Sequence, residues 1–338
     1  MRTVVGLVDA RPETIVDDYR RVLALAGLSV PAAPDGVQVL VAGGTGGFEP
    51  GWSATPWQLD AVLGWLGPRE RPCQVLAIDQ GGAAALGTSE AWRDGLSRHS
   101  ALPLAAESLR PRRVQSALAL PALQTVLPAG VMLPAGLLSG TNFLLAAPTL
   151  RHGSGVAGAT AHLRELVTAG ARIGRRAPAA EVTVEAVGVT REHMPQLGIV
   201  LDGTLWGVEG GRCVARNVLL AGTDPVAVDT VAMHLAGVET RRVPWLRICH
   251  DRGLGVGRLA EIRIVGRTDL ADLDFELPGG TFAAGEEATR WPGVGRVRRL
   301  GRRAGGRSAA GLTGSSWEEL ALQYRGAAAS ARSNPEQA

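Results

Sequence analysis

Three runs decide the reading of this chain: LGIVLDGTLWGVEGG from Leu197 to Gly211, NVLLAGTDPVAVDTVAMHLAGV from Asn217 to Val238, and PWLRICHDRGLGVGRLAEIRIVG from Pro244 to Gly266. Short apolar stretches of strand length, Ile199 to Leu201, Val218 to Ala221 and Glu261 to Val265, alternate with helix-like segments from Pro225 to Leu235 and from Pro244 to Arg252. Thr223-Asp224-Pro225 is a strong helix start, with Asp at the N-cap and Pro at the first helical position. Asp202-Gly203 follows its apolar run and reads as a strand end, the place where open α/β sheets bind ligands.

The alternation extends upstream. Strand-like runs cover Thr3 to Val8, Val37 to Val41, Gln74 to Ile78, Asn142 to Ala147 and Glu181 to Val187. Helix-like segments cover Glu13 to Ala26, Trp57 to Trp65 and Ala157 to Thr168. Between Leu102 and Leu138 five prolines interrupt any long helix, leaving short strands and connections. The pattern predicts an α/β fold, a mostly parallel or mixed sheet flanked by helices with a ligand cleft at the strand C-terminal ends. Residues 1–275 form this α/β body, in one or two lobes. Residues 276–338 form a basic, partly flexible extension in which Ser316-Trp317-Glu318-Glu319 opens a short helix, Trp317 to Arg325.

The quoted block resembles the signature of the Domain of Unknown Function 362 family, which runs apolar-Asp-Gly, Glu-Gly, an apolar strand, Asp-Pro-x-Ala-x-Asp, and Gly-Leu-Gly. Fainter similarity reaches back to Val4. Where the family has Lys-Pro-Asn after an early strand, this chain has Ala42, Gly43 and Gly44. Its Pro-x-Leu-Lys-Thr-His segment is matched here by Pro148, Thr149, Leu150, Arg151 and His152, and the cysteine-rich iron-sulfur extension of many relatives is absent. The resemblance implies an α/β fold and a divergent member with a rebuilt site.

All 35 basic residues are arginine. Without lysine, Schiff-base chemistry, a lysine-anchored pyridoxal cofactor and a P-loop are excluded, whereas arginine forks still bind carboxylate or phosphate. Cys73, Cys213 and Cys249 are distant in sequence and odd in number, which gives neither a disulfide framework nor a four-cysteine cluster motif. The N-terminal TVVGLV is too short for a signal h-region, and no run approaches a membrane span, so a cytoplasmic location is expected. Seven arginines and no acid lie between Arg290 and Arg307, but without interleaved aromatics they read as a solvated tail rather than a nucleic-acid or membrane patch.

Candidate site residues gather at the strand ends. Arg151 is read as a substrate clamp and His152 as a proton-transfer group titrating near neutrality. Asp202 and Glu209 are read as a second acid/base arm or a divalent-cation pair, against the alternative that Asp202 bonds its own backbone in a turn. Gly44 and Thr45 lie in a glycine run that offers an anion nest, Trp52 could cover a planar ligand, and Asp79 ends the strand after Ile78. Asp224 and Asp229 both match the family pattern; Asp224 reads first as a helix cap, with a ligand-binding role as the alternative, and Asp229 either orients a ligand group or bonds another loop. His162, ten residues beyond His152, makes no recognised metal spacing with it, and the chain lacks a strong metal motif.

Together these residues point to a small-molecule enzyme acting on an anionic or polar metabolite in a specialised biosynthetic pathway. Its chemistry would be cofactor-independent or divalent-cation-assisted, of lyase, isomerase or cyclase type. Two alternatives remain open: a redox protein using an iron-sulfur or flavin partner, and a noncatalytic ligand-binding or scaffold protein. Homo-oligomerisation is compatible with either.

Overall fold

The fold comes from a computed structural model that describes residues 2–31, 36–42, 48–67, 73–79, 82–85, 95–138, 142–153, 155–168, 177–208, 212–272, 312 and 314–333. An eleven-stranded mixed sheet forms its centre, with the principal order β13-β1-β12-β11-β8-β2-β3-β4. These strands are β1 (Thr3–Asp9), β2 (Val37–Ala42), β3 (Gln74–Asp79), β4 (Gly82–Ala85), β8 (Phe143–Ala147), β11 (Gln196–Val208), β12 (Arg212–Gly222) and β13 (Ile262–Gly266). Strand β5 (Leu102–Pro103) joins β3, and the hairpin of β9 (Thr149–Gly153) and β10 (Gly155–Ala157) joins β11. Strands β6 (Pro111–Arg113) and β7 (Met132–Pro134) make a separate two-stranded ribbon. The expected α/β class is therefore the observed one.

Strands β2, β3, β8 and β11 run parallel, so their C-terminal ends share one edge of the sheet. Chain β9 continues beyond β8 across Pro148 at that edge and aligns with β11, Thr149 opposite Asp202 and Arg151 opposite Gly207. One face of the sheet is covered by α3 (Pro121–Val126), α4 (Ala159–Thr168), α5 (Ala179–His193), α6 (Pro225–Leu235) and α7 (Pro244–Asp251). The other is covered by α1 (Ile15–Leu25), α2 (Pro56–Leu66) and the C-terminal α8 (Ser316–Ser333). Each face carries its own apolar core, which is why the central strands are buried nearly throughout.

Two sequence expectations are corrected. Glu181 to Val187, read as a strand, lies inside helix α5. Every residue from Val182 to Thr190 is buried, so β-branched residues that weakly favour strands are held helical by packing on all sides. The strand expected to end at Leu201 instead runs to Val208, because Asp202-Gly203 makes a bulge between Gly203 and Leu205 rather than a turn. The terminal helix is also longer than expected and is packed: Leu312, Trp317 and Ala321 belong to the second core. The arginine-rich stretch 290–307 lies outside the described residues.

Helix α8 docks through a defined set of contacts. The Trp317 ring lies 5.4 Å from that of Trp57 on α2, and the Tyr324 hydroxyl donates to Asp60 at 2.8 Å. Asp60 also pairs with His99 at 2.7 Å, and Trp317 donates its indole N–H to Asn217 at 2.8 Å. Among the described residues no helix is long and apolar enough to cross a membrane.

Candidate functional site

Asp202 sits in the middle of β11 and faces α1 and α2. It is wholly buried, accepting from Thr55 Oγ1 at 3.0 Å, Thr204 N at 2.8 Å and Thr204 Oγ1 at 2.6 Å. Burial raises its pKa against the opposing pull of these donors. Tyr19, equally buried, faces the same carboxylate, and burial followed by that charge pushes its phenol well above the ordinary range. Thr55 is the N-cap of α2, so Asp202 joins the start of α2 to the centre of the sheet. The local bond to Thr204 matches the backbone-bonding alternative read from the sequence. Six strand positions separate Asp202 from Val208; Glu209 beyond it lies outside the described residues.

Asp224 caps α6, accepting from Val226 N at 2.9 Å and Ala227 N at 3.3 Å through Oδ1. Its Oδ2 accepts from Val256 N at 2.8 Å, which ties down the Gly-Leu-Gly turn. Asp229, one turn along α6, caps a different helix: it accepts from Ala159 N at 2.7 Å, Thr160 N at 2.9 Å and Thr160 Oγ1 at 2.5 Å at the start of α4. Burial lifts its pKa to about 6, opposed by those three donors. Gly158 is required there, since any Cβ would collide with the Asp229 carboxylate. Glu185 on α5 caps α3 in the same manner, through Ala122 N and Leu123 N. Acidic residues reaching across to a neighbouring helix start are thus a construction rule of this face.

The remaining polar cluster is on α4 and β9. Arg151 Nη2 lies 3.3 Å from Glu165 Oε2, with side-chain exposures of 18% and 30%, so the pair opens to solvent on one side. His162, one turn before Glu165, is buried and meets Leu40 O of β2 through Nε2 at 3.3 Å. Arg164 reaches Thr183 Oγ1 on α5 at 3.3 Å. Burial lowers His162 to about 4; Glu165 opposes that shift and Arg151 reinforces it. Burial likewise lowers Arg164, with the same two charges acting on it, so the four side chains form one electrostatic cluster. Among the described residues, Arg151 Nε, Arg164 Nε and His162 Nδ1 in this cluster are buried without a hydrogen-bond partner.

Of the other sequence candidates, Trp52 packs over Gly207, where a Cβ would meet its ring at 2.9 Å. Asp79 ends β3 opposite Gly82, and His152 lies in β9 opposite Val156; the side chains of both lie outside the described ones, as do Gly44 and Thr45 entirely. Arg151 and Asp202 are brought to the same edge but act on opposite faces of the sheet, Arg151 toward α4 and Asp202 toward α2. Sequence reading missed Glu165 and Arg164 and set His162 aside; the i, i+3 spacing of His162 and Glu165 on one helix face was the available signal. The three cysteines are buried and do not converge, Cys249 lying in the core opposite that of Cys73 and Cys213. Burial pushes the Cys249 thiol up to about 12. Among the described residues no group of three His, Cys, Asp or Glu side chains is arranged to hold a metal ion.

No family model, curated protein or solved structure matches this chain.

Proposed function

We propose that this protein is a small-molecule enzyme, a divergent relative of the Domain of Unknown Function 362 family, that binds an anionic metabolite at Arg151 and performs acid/base chemistry of lyase, isomerase or cyclase type. The observation that supports it is the charge imbalance on α4 and β9. Among the described residues two guanidinium groups, Arg151 and Arg164, face one carboxylate, Glu165, and both keep a buried Nε–H without an acceptor. Partly buried cationic charge without a full partner costs several kcal/mol, and a bound anion offsets that cost. Arginine donors suit carboxylate or phosphate. Proton transfer falls to His152, beside Arg151 in sequence, and to His162, whose ring is neutral at pH 7.

Native mass spectrometry of the purified protein and of Arg151→Ala tests this reading. A small acidic metabolite held by the wild type and lost from the variant is the expected result. An identical ligand load in both, or none in either, removes Arg151 as the anchor.

A further inference from the structure

Arg151 has one sealed edge and one open edge. Its Nε is buried, whereas Nη1 meets no partner among the described residues and is not enclosed, so solvent reaches the guanidinium there. Both Glu165 oxygens lie against the other terminal nitrogen, Nη2, at 3.4 and 3.3 Å. A paired fork uses two nitrogens at about 2.7–2.9 Å, so Glu165 holds one corner of the group loosely and leaves the neighbouring corner able to pair with an anion. The Glu165 side chain is 30% exposed and that of Arg151 18%, so the carboxylate lies beside any acid that pairs with Nη1.

The charges around this opening differ by one unit. Among the described residues of the cluster, Arg151 and Arg164 are positive, Glu165 is negative, and His162 is neutral at pH 7 because burial holds its pKa at about 4. One ligand carboxylate brings the cluster to neutrality, and a second leaves it negative beside a carboxylate already in place. Like charges at such short range repel, and partial burial weakens the screening that water and salt provide. Resting on the proposed anion site at Arg151, we infer that Glu165 is a specificity-determining residue, which restricts that site to monocarboxylates and turns away dicarboxylates.

The test titrates the whole chain at pH 7 and fixed ionic strength with succinate and with its monomethyl ester, which has the same carbon chain and one charge fewer, by isothermal calorimetry. Wild type is expected to bind the monoester at least about fivefold tighter. The chain's net charge of +3 by itself favours the dianion, so this preference is the reverse of the non-specific one. Glu165→Gln, checked for folding by circular dichroism, keeps an acceptor for Nη2 without the charge; it should bring the two affinities within about twofold, chiefly by tightening succinate. Arg151→Ala should weaken both acids. Equal or tighter wild-type binding of succinate, or a preference unchanged in Glu165→Gln, overturns the role of Glu165 and leaves the anion site standing provided Arg151→Ala still weakens binding. The wild-type comparison decides alone where Glu165→Gln does not fold. Failure of both acids to bind, or binding indifferent to Arg151→Ala, overturns the anion site and this inference with it.

Discussion

Asp229 receives both the amide and the hydroxyl of Thr160, at 2.9 and 2.5 Å, so a residue inside α6 serves as the cap of α4. The helix it caps carries His162, Arg164 and Glu165, and the capping contact therefore fixes where that cluster begins.

Removing this cap should be costly. Asp229→Ala leaves two backbone amides and a hydroxyl buried without acceptors and is expected to lower unfolding free energy by about 2–3 kcal/mol in urea titration. Gly158→Ala should destabilise comparably, since its Cβ would displace the Asp229 carboxylate.

Two buried groups oppose each other in pH dependence. Asp229 is raised from 3.8 to about 6, so between those values the unfolded chain releases the proton first and stability falls as pH rises. His162 is lowered from 6.5 to about 4, so the unfolded chain takes up the proton first on acidification and stability rises with pH over nearly the same window. Each contribution is about 3 kcal/mol, and they largely cancel. Urea midpoints measured from pH 4 to 6.5 should show Asp229→Asn rising more steeply with pH than wild type and His162→Phe falling relative to it.

Docking of α8 should be separable from the body of the fold. Trp317→Ala removes the ring packed on Trp57 and is expected to cost about 3 kcal/mol, read as faster amide exchange in α8 and at the face of α2 it covers. Tyr324→Phe should cost only about 1 kcal/mol, because Asp60 retains His99.

Asp202→Ala should behave as a stability variant. It removes the acceptor of the Thr55 and Thr204 hydroxyls and of the Thr204 amide in a wholly buried place, an expected loss of about 2–3 kcal/mol. Amide exchange should quicken at the start of α2, while anion affinity at Arg151, on the opposite face, stays within about twofold.

Local chemistry was enough to place many elements. Asp224-Pro225 starts α6 where the sequence said, because an N-cap and a preset φ act within a few residues. The strands β2, β3, β8 and β13 follow from short apolar runs, and their alternation with helices predicted the α/β class. The sequence also excluded lysine chemistry outright.

What only the tertiary structure decided was how buried polar groups are partnered. Glu181 to Val187 became helical because packing surrounds it, and one bulge at Gly203 kept Asp202 inside a strand facing α2. Asp229 and Thr160 are 69 residues apart in sequence, and Arg151 meets Glu165 only after the β9–β10 hairpin returns the chain to α4. Periodicity and capping operate over a turn of helix or a pair of strand residues. The partners of a carboxylate or guanidinium depend on which elements share a face of the sheet, and no local pattern carries that information.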